Sequence, residues 1–167
     1  ATEHLELRQA FLLTNSAWIS IALFGSLPFL LSDIEMSFID AFFESTSGIT
    51  TTGATVIENL EAKSHGILIW RALLQWLGGV GIIVMALAVL PMLSIGGMQL
   101  FKTESYETPD KVVPKAASFA AGISIVYITL TVIWAFMLWG AGMTIFDSIA
   151  HSMTTLATGG YSTKSES

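Results

Sequence analysis

The sequence has no cysteine, only four prolines and little charge: seven Lys and Arg against thirteen Asp and Glu, 12% of 167 residues. Without cysteine there is neither a disulfide framework nor a thiolate metal site. A soluble domain of ordinary composition carries about 25% charged residues, so this chain cannot present a water-facing surface over most of its length. The scarcity of basic residues also removes nucleic acid as an expected partner. The N-terminal "ATEHLELRQ" carries two acids and one Arg, which is not the basic lead-in of a secretory signal. What the chain does have is apolar residues, 53% of the total. That balance marks an integral membrane protein whose partner is the lipid bilayer.

Three stretches reach the roughly 20 apolar residues that a bilayer crossing needs: 10–31, 66–95 and 116–139. The second is long enough to tilt, to project from the lipid, or to break near Gly78–Gly79 or Pro91. Between the first two lies "SFIDAFFESTS", Ser37 to Ser47, which predicts a short helix with an apolar face. Gly48 to Thr55 follows, rich in Gly and Thr and patterned as neither helix nor strand. A short helix and irregular backbone between two spans predict a re-entrant loop. Such backbone must line protein or water, because lipid offers its polar groups no partner.

Arg8, Lys102, Lys111 and Lys115 fall on one side of these spans, which the positive-inside rule makes cytoplasmic. The other side is acidic. The Gly/Thr loop is therefore expected to open outward beneath a vestibule of carboxylates, with Asp40, Glu58 and Asp147 as candidates. Carboxylates at a concave mouth raise the local cation concentration.

The end of the chain replays its beginning. "FIDAFFESTSGITTTGAT" (Phe38 to Thr55) aligns without a gap on "IFDSIAHSMTTLATGGYS" (Ile145 to Ser162). Asp40 meets Asp147, Ser45 meets Ser152, Thr51 meets Thr158, and Gly53 meets Gly160. The organisation read from this is a lead-in at 1–9, a first span–pore loop–span repeat at 10–95, a cytoplasmic connection at 96–115, and a second repeat at 116–167 that runs up to and including its loop. The expected fold class is all-α integral membrane, built from span–re-entrant helix and loop–span repeats of potassium-channel type.

A cation crossing a bilayer must exchange water for other oxygens, and rings of backbone carbonyls can supply them. Thr51, Thr52 and Gly53 fit that need as two β-branched residues favouring extended backbone and then a Gly that turns it cheaply; Thr158, Gly159 and Gly160 are the second copy. The short helix in front aims its partly negative C-terminal end at the same place. The plainer alternative is a polar turn that only packs between helices. Arg71, in the second span, needs a partner at that depth. Glu44 is the candidate, as a structural ion pair bracing the loop, the alternative being an Arg71 that snorkels to the headgroups. His151 takes the place of Glu44 in the second copy. Its neighbour Ser152 points about 100° away on a helix, so the two form no nucleophile–base dyad and the chain is not read as an enzyme. Gly78, Gly79 and Gly81 are read as sites of close helix contact.

"DAFFESTSGITTTGATV" followed by "LLQWLGGVGIIVMALAVLPMLSIGGMQLF" closely resembles the TrkH/TrkG-type membrane subunits of the Trk/Ktr/HKT superfamily of cation transporters, and "HSMTTLATGGYST" resembles their second pore loop. The resemblance implies four such repeats around one pore, each with a selectivity-filter glycine at the positions of Gly53 and Gly160. In plant relatives a Ser at the first of these goes with sodium preference, so Gly53 implies potassium. It further implies potassium uptake at the bacterial inner membrane with no cofactor, homodimeric subunits, and a cytoplasmic nucleotide-binding regulatory subunit of TrkA type. Two of four loops are present, so the resemblance implies a fragment of a larger subunit or half of a split assembly. The competing readings are the channel-like subunit of a potassium-pumping ATPase and a non-transporting membrane scaffold.

Overall fold

The computed structural model describes residues 7–93 and 112–165, and all regular structure among them is helical. Helix α1 (Leu7–Gly25) leads through Ser26 into the single turn α2 (Leu27–Leu30). Pro28, which has no N–H to donate, sits in that first turn and separates α2 from α1. Helix α3 (Phe38–Ile49) is the first short helix, and α4 (His65–Leu93) is the second long one. A 3-10 turn at Leu60–Ala62 precedes α4. Helix α5 (Val112–Gly140) and the short α6 (Ile145–Leu156) complete the order. Most of the expected connection at 96–115, with Lys102 and Lys111, and most of the lead-in at 1–9 lie outside the described residues.

Three helical stretches are long and apolar enough to cross a membrane: Phe11–Leu30, His65–Ile83 and Ala121–Gly140. Each falls on one of the three expected spans, the second covering 65–83 against the expected 66–95 and the third starting at Ala121 and not at 116. Large apolar side chains on α1 and α5, among them Phe11, Leu13, Ile125 and Phe136, are exposed. Exposed apolar side chains of this kind suit helices that meet hydrocarbon or further helices in place of water.

Helix α4 runs unbroken past Gly78 and Gly79, where a break was considered; 29 residues at 1.5 Å each make it about 44 Å long. Those glycines answer to packing instead. A Cβ at Gly78 would strike the carbonyl oxygen of Ile49 at the end of α3. One at Gly79 would meet Ala157 just past α6 and the hydroxyl of Tyr127 on α5. Gly81 faces Trp18 of α1. Helix α4 therefore lies against the C-terminal ends of both short helices, and small residues let the backbones approach. Trp76 Nε1 donates to Thr131 Oγ1 at 3.0 Å, fastening α4 to α5. An apolar core of Phe29, Ala41, Ile57, Leu60, Ile67, Leu68 and Leu74 closes the other end, among α2, α3 and the start of α4.

Helix α3 continues past its expected end at Ser47 to Ile49. Gly48 lies within the helix, where a Cβ would crowd Leu74 and meet the Tyr161 ring.

Replacing Gly78 by Ala should destabilise a complete subunit by about 1–3 kcal/mol through overpacking against the Ile49 carbonyl. Gly66→Ala, where a Cβ meets nothing within 4 Å, should leave stability unchanged or slightly raised. Thermal unfolding of the two variants in detergent measures the difference.

Candidate functional site

Both short helices are built alike from end to end. Ser37 caps α3, accepting from Asp40 N at 3.2 Å and donating to its carboxylate at 2.7 Å. Thr144 does the same for α6 with Asp147, at 3.1 and 2.8 Å. Each is a reciprocal N-terminal cap in which a carboxylate also sits favourably at the positive end of the helix.

The C-terminal ends match bond for bond. Thr51 N donates to Gly48 O and Thr52 N to Ser47 O, both at 2.9 Å. In α6 the pairs are Thr158 N to Thr155 O at 2.9 Å and Gly159 N to Thr154 O at 3.0 Å. This is the Schellman closure, which needs a left-handed residue just past the cap, usually Gly. Here that residue is Thr both times, with φ of 54° at Thr51 and 55° at Thr158. A β-branched residue in that region is strained by about 1–3 kcal/mol. Thr51 is thus not extended, contrary to the expectation from its β-branching, because terminating the helix overrides its local preference. Gly53 and Gly160 follow at φ 82° and 77°.

The two loops lie edge to edge. A Cβ on Gly53 would strike the Gly159 carbonyl oxygen, so the first loop meets the second at their glycines.

Behind this contact is a buried network centred on Glu44, 0% exposed, and Arg71, 1% exposed. Arg71 Nε lies 2.7 Å from Glu44 Oε1. The same carboxylate accepts from Thr55 Oγ1 at 2.9 Å and Val56 N at 3.1 Å, which fixes the outer limb of the first loop. Arg71 Nη1 donates to Ser162 O of the second loop at 3.0 Å, and the guanidinium lies 4.0 Å above the Tyr161 ring. Tyr161 in turn donates its hydroxyl to Glu44 O at 2.9 Å and its N–H to Gln75 Oε1 at 3.1 Å. Arg71, Gln75 and Gly78/Gly79 share one stripe of α4 at i, i+4 and i+7/i+8 spacing, and every one of them touches a loop or a short-helix end. Arg71 does not reach out towards headgroups; it is enclosed.

In the second unit His151, at the Glu44 position, contacts Thr163 Oγ1 at 3.2 Å, and Thr163 donates to Asp147 Oδ1 at 2.6 Å. The Thr163 hydroxyl, with that of Thr144, holds the Asp147 carboxyl below the ordinary carboxylate range. Asp147 is 9% exposed and engaged in the second loop's own bracing. The structure does not bring it to the cavity that holds the other candidate carboxylates. That cavity, about 460 Å³, is lined by Asp33, Glu35, Asp40 and Glu58 with Lys63. Nearby Glu61 accepts from Ser165 N at 2.7 Å, a bond that lowers its pKa, and this ties the outer turn of the first unit to the second. Among the described residues no three His, Asp or Glu side chains converge as metal ligands.

Tyr161 and Gln75 are the residues to which the sequence alone assigns no role, although Gln75 follows Arg71 along one helix face. A Tyr directly after a loop glycine and a Gln one turn beyond a buried Arg were the available signals.

The whole chain, residues 1–167, matches the family model for TrkH, a cation transport protein. The chain belongs to the TrkH family. It is 46% identical, over 95% of its length, to the Trk system potassium uptake protein TrkH of Escherichia coli K12. It is 45% identical, over 92% of its length, to TrkI of Halomonas elongata. The crystal structure of the potassium transporter TrkH from Vibrio parahaemolyticus superposes with a TM-score of 0.84 at 44% identity over 98% of this chain. The chain spans about a third of these relatives: 34%, 31% and 32% of their lengths. Membership in this family, with three apolar spans, makes it a membrane protein.

Arg71→Ala strands the Glu44 carboxylate in a dry site and should remove about 3–5 kcal/mol of stability. Substituting both partners together, Arg71→Met with Glu44→Leu, should cost less than Arg71→Ala alone. Chemical unfolding of complete subunits in detergent gives the ranking, and a silent Arg71→Ala would show that the pair holds nothing.

Proposed function

We propose that this segment supplies two of the ion-selecting loops of a potassium uptake subunit in the bacterial inner membrane, Thr51, Thr52 and Gly53 in one and Thr158, Gly159 and Gly160 in the other. The observation that carries the reading is the duplicated loop: two segments, far apart in sequence, share the same left-handed turns at Thr51/Thr158 and Gly53/Gly160 and meet at their glycines. Alternating left-handed and ordinary backbone aims successive peptide groups to one side of a strand. Carbonyls so aimed replace the hydration shell of a cation. The strain in Thr51 and Thr158 accords with a backbone shaped for a ligand.

Potassium collects in the outer acidic cavity beside Asp40 and Glu58, passes the carbonyls of the two loops and their partners in the complete pore, and moves inward down its electrochemical gradient. One charge gains about 2.3 kcal/mol per 100 mV of membrane potential, so transport needs no covalent chemistry and no cofactor. Glu44 and Arg71 hold the loops without touching the ion. As implied by the family, the complete subunits pair as homodimers and work with a cytoplasmic nucleotide-binding subunit of TrkA type. The names of the relatives, Trk system potassium uptake proteins, favour this reading over a subunit of a potassium-pumping ATPase or a non-transporting scaffold.

A Ser at position 53 puts its Cβ onto the Gly159 carbonyl and forces the loops apart. In a complete subunit expressed in bacteria lacking their own potassium systems, Gly53→Ser should lose most of the preference for rubidium over competing sodium while reaching the membrane normally. Unchanged uptake and preference would mean that the loop does not face the ion.

A further inference from the structure

We propose that Gln75 is a positioning residue for ion selection, its carboxamide setting the distance between the two loops. The proposal rests on the reading of those loops as ion-selecting. Gln75 is 0% exposed, and a buried amide is unfavourable unless it is bonded. A residue that only filled space at this depth would be apolar.

Its orientation follows from Tyr161. The Tyr161 N–H needs an acceptor and finds Oε1 at 3.1 Å. Only the oxygen end of an amide can accept, so the Nε2 end points the other way. That end faces Gly53, whose Cβ would lie 3.7 Å from Nε2, while a Cβ built on Gly159 would strike the amide as a whole, meeting Cδ, Oε1 and Nε2 alike. The Gly53 Cβ would also strike the Gly159 carbonyl oxygen, so the amide donor sits at the seam where the loops touch. Nε2 is buried there and has no hydrogen-bond partner among the described residues. One end of Gln75 is anchored to the second loop, and its free donor confronts backbone from both. A carbonyl at the seam that turns or shifts as the loops close on an ion meets this donor. The spacing of the loops is thereby set from behind, by a group that never contacts the ion.

The position also explains Gly159. With any side chain there, the Gln75 amide would be displaced and the bond to Tyr161 broken. The pair Gly159–Gln75 acts as one unit in which the small residue makes room for the amide.

The test uses a complete subunit carrying this segment, in bacteria without their own potassium uptake, with variants compared at equal membrane abundance. Gln75→Met keeps length and volume and removes the amide. Gln75→Leu also removes the amide without adding charge, and stands in should the Met variant accumulate poorly. Rubidium uptake should persist in both, while the preference for rubidium over sodium falls about tenfold, the scale of one lost hydrogen bond. An unchanged preference in a variant that reaches the membrane overturns the proposal. Absence of rubidium uptake by the unsubstituted subunit counts against transport itself and not against the role of Gln75 alone.

Discussion

The rest of the structure depends on the buried pair of Arg71 and Glu44. A guanidinium and a carboxylate removed from water are each unfavourable, and their mutual attraction offsets this only with close geometry and further hydrogen bonds. Both conditions are met: a 2.7 Å contact, two bonds from the first loop to the carboxylate, and one from the guanidinium to the second loop. The pair thus joins three segments distant in sequence, the α3 helix, the α4 helix and the stretch after α6. Without it the irregular backbone would lose the bonds that tie both loops to one point on α4.

Helix α4 converts that local bond into an architecture. Along one stripe it presents a charge, an amide and two glycines, and each engages a different part of the paired loops. The glycines bring it against the ends of both short helices, and the two polar residues reach past those ends to the loops themselves. The strained backbone at Thr51, half-buried, and Thr158, exposed, is held by the paired helix-closing bonds and by the buried residues behind each loop. Strain of this kind persists only where neighbours over-determine it.

Much of this was legible in the sequence, and the limits of legibility are physical. Hydropathy located the three spans, because crossing a bilayer demands length and apolarity and little else. The ungapped match of Phe38–Thr55 to Ile145–Ser162 located both short helices and both loops. Depth singled out Arg71, and the structure sets it against Glu44. Local preference failed where tertiary demands prevailed, since Thr51 turns left-handed to close its helix; Gly78 and Gly79, read as sites of close helix contact, are that, and α4 does not break there. Asp147 looked like an open carboxylate because sequence does not reveal that Thr163 lies beside it. Helical spacing puts Gln75 on the face of Arg71, but no pattern pairs it with Tyr161, since what joins them is a hydrogen bond between residues 86 positions apart. Only the folded chain shows it.

The central claim, that these loops face a permeating cation, is tested most directly by locating the ion. Crystals of a complete transporting subunit grown with thallium, a potassium substitute that scatters anomalously, give its position. The account places an anomalous peak within coordination distance of the Thr52–Gly53 and Gly159–Gly160 carbonyls, in front of the seam that Gln75 supports. Thallium bound elsewhere in the protein, with none facing either loop, would contradict it.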